Sequence, residues 1–160
     1  EPLSCPSFTK GKYAYDHGDM ARMTPLIKMH TLGSDFLPPA NHSGGLRYHG
    51  MSYHLSHLYD LGLMRAKAYG QKECFEAGVM FGKQEGIIPA PEGNHAVKGA
   101  IDAALECKEK GESKTILFNL CGHGHFDMTA YEDYFTGKLA EDFYDEDSAN
   151  QSLSKLPVIA

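Results

Sequence analysis

The sequence predicts an α/β fold with a parallel sheet and crossover helices, preceded by a long irregular N-terminal segment. Three observations carry that expectation. From residue 51 onward, apolar residues recur at helical spacing in stretches separated by short apolar runs, which is the rhythm of a sheet with crossover helices. Lys114-Thr115-Ile116-Leu117-Phe118-Asn119-Leu120 is apolar through its middle, as a strand buried on both faces would be. Residues 1–50 are instead punctuated by Gly11, Gly18, Gly33, Pro38-Pro39, Gly44-Gly45 and Gly50, and only Thr24 to Met29 looks able to make a helical turn or two. So long an irregular run is uncommon in a compact domain and suggests a segment that lines a site or lies on another part of the protein.

The regular elements follow in order. Leu55, Leu58, Tyr59 and Gly62 keep helical spacing, and Met64 to Tyr69 reads as a short strand. Phe75, Val79 and Met80 mark a second helix that stops near Gly86. Ile87-Ile88 then leads, as a strand, into Pro89-Ala90-Pro91. Glu92 to Lys110 is the clearest helix, with Val97, Ala100, Ile101, Ala104 and Leu105 along one stripe and Gly111 as its stop. After the strand at 114–120 comes a Gly-rich turn, and a last helix is expected from about Asp127 to Phe135. These patterns divide the chain into a domain over residues 1–137, irregular to 50 and α/β over 51–137, and an acidic, solvated C-terminal tail over 138–160.

A chain of 160 residues is long enough for one sizeable core. Its net charge of −6 argues against a nucleic-acid partner, which needs a basic face. No apolar run approaches the roughly 18 residues a membrane span requires, so no membrane partner is expected. The four cysteines stand singly, which favours free thiols and a reducing, cytoplasmic setting over a disulfide framework. The opening Glu1-Pro2-Leu3 has neither an initiator Met nor a signal pattern, so the chain is expected to be part of something longer.

In α/β sheets ligands bind beyond the carboxyl ends of the strands, which sets loop 89–92 beside loop 121–125 as a candidate site. Gly122 and Gly124 flank His123 and let backbone approach a ligand closely, although a tight turn with two surface histidines explains the same residues. Glu92 sits where a carboxylate favours the positive end of a helix dipole, or where it could face a ligand. Asn94 reads as a cap. Arg47, in the stretch Gly44 to Gly50, could hold a carboxylate or phosphate, or be a surface arginine. Nine histidines, with His42, His49, His54 and His57 close in sequence, raise zinc hydrolysis as an alternative, but no ligand spacing supports it. No nucleophile elbow and no phosphate-binding Gly-Lys loop is present. From the residues alone the reading ends at a ligand site between two loops.

At those loops the sequence resembles a known family. Glu85-Gly86-Ile87-Ile88-Pro89-Ala90-Pro91-Glu92-Gly93-Asn94-His95-Ala96 is similar to the E-G-I-[IV]-P-A-x-E-S-x-H-A motif of tryptophan synthase beta chains. Asn119-Leu120-Cys121-Gly122-His123-Gly124-His125-Phe126-Asp127 is similar to their N-L-S-G-x-G-x-x-D motif. The stretches Tyr13 to Asp19, Thr24-Pro25-Leu26, Thr31-Leu32-Gly33, Pro38-Pro39 and Gly44 to Gly50 resemble the divergent second branch of that family, and the match runs in order to about residue 137.

The resemblance implies the C-terminal portion of a type II pyridoxal-phosphate fold and a β-replacement in which L-serine loses water and indole adds to give L-tryptophan. It places the Schiff-base lysine and the phosphate cup upstream of the matched region, so this segment alone is expected to be inactive. Cys121 takes the position of the serine that faces the pyridine nitrogen, with Gly122 beside it, and Glu92 that of the glutamate near the cofactor ring. Arg47 falls at a site-closing position. The carbonyls of Tyr48 and Gly50 match ligands of a monovalent cation. The cysteine departs from the family's serine, and S–H is a poorer donor than O–H, which bears on cofactor binding more than on reaction class. A homodimer is implied for the intact enzyme, with association to an alpha subunit left open. A related β-elimination enzyme with another substrate, and a non-catalytic ligand-binding domain of the same ancestry, remain as alternatives.

Overall fold

The computed structural model describes residues 1–141 and 143–159. It is a mixed α/β structure that divides into two compact units: Glu1–Ala40 and Leu46–Ala68 with the stretch beyond residue 141, and Asn41–Gly45 with Tyr69–Glu141. No helix among the described residues is long and apolar enough to cross a membrane.

The first unit is built on a hairpin. Strands β1 (Lys12–His17) and β2 (Leu26–Thr31) pair antiparallel, with Lys12 opposite Thr31 and His17 opposite Leu26. This corrects the expectation of an irregular segment with a helical turn at 24–29. Pro25 cannot donate a helical amide, and the β-branched or long residues that follow fit a pleated surface better than a turn. A short helix α1 (Ser7–Lys10) precedes the hairpin and α2 (Tyr53–Asp60) follows it. Gly50 bridges back to Thr31, with the Leu32 amide donating to the His49 carbonyl at 2.7 Å and Met51 to His30 at 2.9 Å. Segment 46–51 is thereby fastened along β2. The acidic stretch expected to be a solvated tail carries a helix, α6 (Glu146–Leu153), capped by the Asp145 carboxylate on the Ser148 amide. Its Ala149 is fully buried with Cys5, Leu32 and Phe36. The acidic residues occupy the helix start, where the dipole favours them, and the small and apolar ones turn inward.

The second unit is helical. Its helices are α3 (Gln71–Glu85), α4 (Pro91–Lys110) and α5 (Met128–Phe135), close to the expected ranges. Helices α3 and α4 end at Gly86 and Gly111, both left-handed at φ +72° and +65°, the conformation glycine adopts without penalty. The core gathers Phe75, Ala130, Tyr131 and Leu139, with Val79, Ile88 and Tyr134 against it. The apolar stripe of α4 is buried at Val97 but exposed by Leu105.

The expected parallel sheet is not found among the described residues. The three runs read as strands, at 64–69, 87–88 and 114–120, form no ladder with one another. A buried parallel strand needs neighbours on both edges, and among the described residues none of the three runs is flanked by ladders.

Candidate functional site

Loops 88–92 and 121–125 lie side by side in the second unit, as the sequence suggested, although an antiparallel bridge joins them rather than parallel strands. Pro89 bridges His123. The Ala90 amide donates to the Gly122 carbonyl at 3.2 Å, and the Gly124 amide to the Ile88 carbonyl at 2.8 Å. Close backbone approach explains the glycines. Gly122 has φ +76°, and a Cβ there would stand 2.9 Å from that of Ala90. A Cβ on Gly124 would meet the Pro89 carbonyl at 2.6 Å.

Helix α4 starts at this junction. Ala90 is its N-cap and Pro91 its first residue, where a missing amide costs nothing. Glu92 follows in the first turn. Its Oε1 accepts the Gly45 amide at 2.7 Å, so the carboxylate ties loop 41–45 to the start of α4. The loop is further held by a long contact of 3.4 Å from the His42 amide to Gln71 Oε1. Near Glu92 lies Asp127, whose carboxyl is pushed up by burial and by the Glu92 charge, with His42 pulling the other way.

Beneath the junction sits a buried polar group. The Tyr131 hydroxyl donates to the Pro89 carbonyl at 2.6 Å and to Asn94 Oδ1 at 3.1 Å. Asn94, expected as a cap, is instead fully buried between α3, α4 and α5, against Gly78. His95 is also buried. Its Nδ1 meets the Pro91 carbonyl at 3.0 Å, and burial holds its imidazole below the ordinary value. Sequence reading missed Tyr131 as a support for the loop; an aromatic residue within a helix gives no local sign that its hydroxyl serves a distant carbonyl.

The sequence-derived candidates fall in two places. Glu92, Cys121 and Gly122 come together at the junction. Cys121 is an exposed free thiol, and its carbonyl lies 3.2 Å from where a Cβ on Gly93 would stand. Arg47, Tyr48 and Gly50 belong to the first unit. The Arg47 guanidinium donates to the carbonyls of Pro39 at 3.0 Å and Pro38 at 2.6 Å, which fixes its own loop. The Tyr48 carbonyl receives a long contact of 3.5 Å from the Ser7 hydroxyl, and Gly50 closes the bridge to Thr31. His123 and His125 stack at 3.9 Å between ring centroids, and His123 Nδ1 accepts the His125 amide at 3.2 Å. That pair closes a turn. Among the described residues no three His, Cys, Asp or Glu side chains gather as metal ligands.

Comparison with known proteins addresses the family. No family model matches the chain. It is similar to tryptophan synthase beta chain 2 of Methanosarcina mazei, 63% identical over 139 residues, which is 87% of this chain and 31% of that protein. It is 58% identical to tryptophan synthase beta chain 2 of Aquifex aeolicus over 88% of this chain and 32% of that one. It is 52% identical to the tryptophan synthase beta chain of Pyrococcus horikoshii over 98% of this chain and 34% of that one. The chain therefore spans about a third of the length of the relatives it matches. Identity at this level along nearly the whole chain, with both loop motifs meeting at one junction, places it in the tryptophan synthase beta chain family over the part it spans.

Proposed function

We propose that this chain supplies the side of a pyridoxal 5'-phosphate site that faces the cofactor's ring, in an enzyme that joins L-serine and indole to give L-tryptophan and water. The observation that carries the reading is the hydrogen-bonded junction of loops 88–92 and 121–125, in a chain of this family. The type II fold of such enzymes, with its parallel sheet, belongs to the same proposal.

The residues present fit the cofactor. Cys121 is exposed at the junction, on a turn whose next position favours glycine beside Ala90. Glu92 has one carboxylate oxygen committed to the Gly45 amide and is thereby oriented. Pyridoxal phosphate, when bound, supplies the electron sink for bond cleavage in the amino acid. Cys121 offers a ring nitrogen a weak, neutral S–H donor and no charge to hold a proton there. Glu92 holds its carboxylate fixed beside the junction. Asp127, raised by burial and by Glu92, retains a proton more readily than an ordinary aspartate and adds less negative charge beside it. Arg47, whose guanidinium holds its own loop through the Pro38 and Pro39 carbonyls, takes its site-closing role in this proposal from the family resemblance alone. The carbonyls of Tyr48 and Gly50 stand as ligands for a monovalent cation; the weak contact on Tyr48 leaves lone-pair capacity for one.

The test is a pair of substitutions in the intact enzyme. Cys121→Asp puts a carboxylate where a neutral thiol stands, so keto-acid by-products should rise relative to tryptophan. Cys121→Ser should leave the ratio unchanged. A folded, cofactor-loaded Cys121→Asp enzyme with the parental ratio would show that Cys121 does not face the ring.

A further inference from the structure

His30 of β2 stands where α1, β1 and α2 of the first unit meet. Its amide donates to the Ser56 hydroxyl of α2 at 2.9 Å, and its carbonyl accepts the Met51 amide at 2.9 Å. Aromatic side chains enclose its ring. Tyr13 of β1 lies nearly parallel to it at 4.9 Å between centroids, Tyr59 of α2 meets it edge-on at 4.9 Å, and Phe8 of α1 stands tilted at 5.6 Å. The residue is 9% exposed, and among the described residues neither Nδ1 nor Nε2 has a hydrogen-bond partner. A neutral imidazole leaves one N–H unpaired in this box. An imidazolium would leave two, together with a buried charge.

The neighbouring charges do not reverse this. The Asp60 and Glu1 carboxylates favour a proton on the ring, but burial outweighs both and holds the imidazole below its ordinary value. The Glu1 carboxylate is already committed to the Phe8 and Thr9 amides, each at 2.9 Å. Tyr13 offers its π face to the Lys28 ammonium, 4.4 Å from the ring centroid, so a second cation against Tyr13 would meet a like charge. His49, the other buried imidazole of this unit, differs: the Asp16 carboxylate lies 4.0 Å from its Nε2 and can balance a charge there.

We propose that His30 is an acid-released latch: its neutral ring keeps α2 and segment 46–51 seated on β2, and a proton on that ring unseats them. To reach water the charged ring must part from Tyr59, and Tyr59 shares α2 with Ser56, so ring and helix separate together. The bonds on either side of His30, to Ser56 and from Met51, are then the first to open. The released segment carries Arg47, whose site-closing role belongs to the proposed function. The latch itself rests on neither that role nor the cofactor. An enzyme that keeps the latch but makes no tryptophan would sink the proposed function alone.

The experiment follows hydrogen exchange of the 160-residue chain between about pH 7.5 and about pH 5. The open state takes up its proton near the ordinary 6.5 and the closed state only below it, so the latch is complete above that pH and weakens as pH falls. After correction for intrinsic exchange, protection of the Met51 and Ser56 amides should fall by about tenfold. The Ala149 amide of α6, in the same unit, should change by less than about twofold. His30→Phe, which keeps a ring in the box, should abolish the fall at Met51 and Ser56. In the parent, the His30 ring carbons followed by nuclear magnetic resonance should titrate over the same pH range as the loss of protection. Unchanged protection of Met51 and Ser56 at about pH 5 would overturn the proposal, as would a fall that persists in His30→Phe or an equal fall at Ala149. Should the variant not fold, a His30 titration that does not coincide with the amide change is the overturning result.

Discussion

Removing the hydroxyl of Tyr131 isolates what holds the candidate site together. Tyr131 is 4% exposed, and its ring meets Phe75 edge-on at 5.0 Å, a contact that phenylalanine keeps. Its hydroxyl carries one proton between two acceptors, and the 2.6 Å contact to Pro89 takes the larger share over the 3.1 Å contact to Asn94. In Tyr131→Phe the Pro89 carbonyl and Asn94 Oδ1 both lose a buried partner. An orphaned buried acceptor costs about 1–3 kcal/mol, and no ionic group is involved, so about 2 kcal/mol is expected for the pair after relaxation. Thermal unfolding of the chain should then fall by roughly 4–8 °C at this size. Pro89 is one partner of the bridge between the two loops, so exchange of the Ala90 and Gly124 amides should quicken more than exchange in α1 or the hairpin. An unfolding temperature within about 1 °C of the parent would show that the hydroxyl contributes nothing net. Uniform quickening across both units would show that it does not act on the loop.

Three further substitutions probe the same reasoning. A Cβ on Gly78 would stand 1.9 Å from Asn94 Oδ1, so Gly78→Ala should destabilise by at least the usual overpacking cost of about 1–3 kcal/mol. Pairing it with Asn94→Ala should recover part of that loss in a double-mutant cycle; strict additivity would argue that the two sites do not touch. Burial lowers the His30 imidazole from its ordinary 6.5 despite the Asp60 and Glu1 carboxylates, so the unfolded chain binds more protons just below pH 6.5. Its contribution is complete above that pH and is lost as pH falls toward the folded value. His30→Phe keeps the ring contacts with Phe8, Tyr13 and Tyr59 and should shrink the drop in unfolding temperature between about pH 7.5 and about pH 5, with His95 supplying the remainder; an unchanged drop would refute this. Glu92→Ala should speed hydrogen exchange at the Gly45 amide, and Glu92→Gln, which retains an acceptor, should hardly change it; equal effects would mean that the contact does not order the loop.

The helices were legible because each has a periodic face and a chemical stop. Gly86 and Gly111 mark the ends of α3 and α4 in sequence and in space. The hairpin was not, since β1 mixes Lys12, Asp16 and His17 with its tyrosines and shows no apolar alternation. Its order comes from partners distant in sequence: Asp16, fully buried, accepts the Thr31 hydroxyl at 2.7 Å. At the site, the meeting of loops 88–92 and 121–125 could be read from strand-end logic, yet the contacts that fix it could not. Neither Glu92 to Gly45 nor Tyr131 to Pro89 leaves a local signature, because a backbone amide or carbonyl can belong to any residue. Residues 114–120 have a strand's composition, but a strand is defined by its neighbours, and among the described residues they join no ladder.

The junction also constrains chain length. Helix α4 leads away from the junction for 20 residues, starting at Pro91, about 30 Å at 1.5 Å per residue. The return leg from Glu112 to Leu120 covers about 30 Å if extended at roughly 3.3 Å per residue. Outward and return paths match, which is how Cys121 arrives back beside Gly93 after so long an excursion. A single residue removed from the helix shortens the outward path by about 1.5 Å and turns everything after it by about 100°. One removed from the return leg draws Cys121 back by roughly 3.3 Å and exchanges the side chains facing the helices with those facing away. Point changes across both legs are tolerable wherever packing allows, whereas insertions and deletions there would separate the two loops.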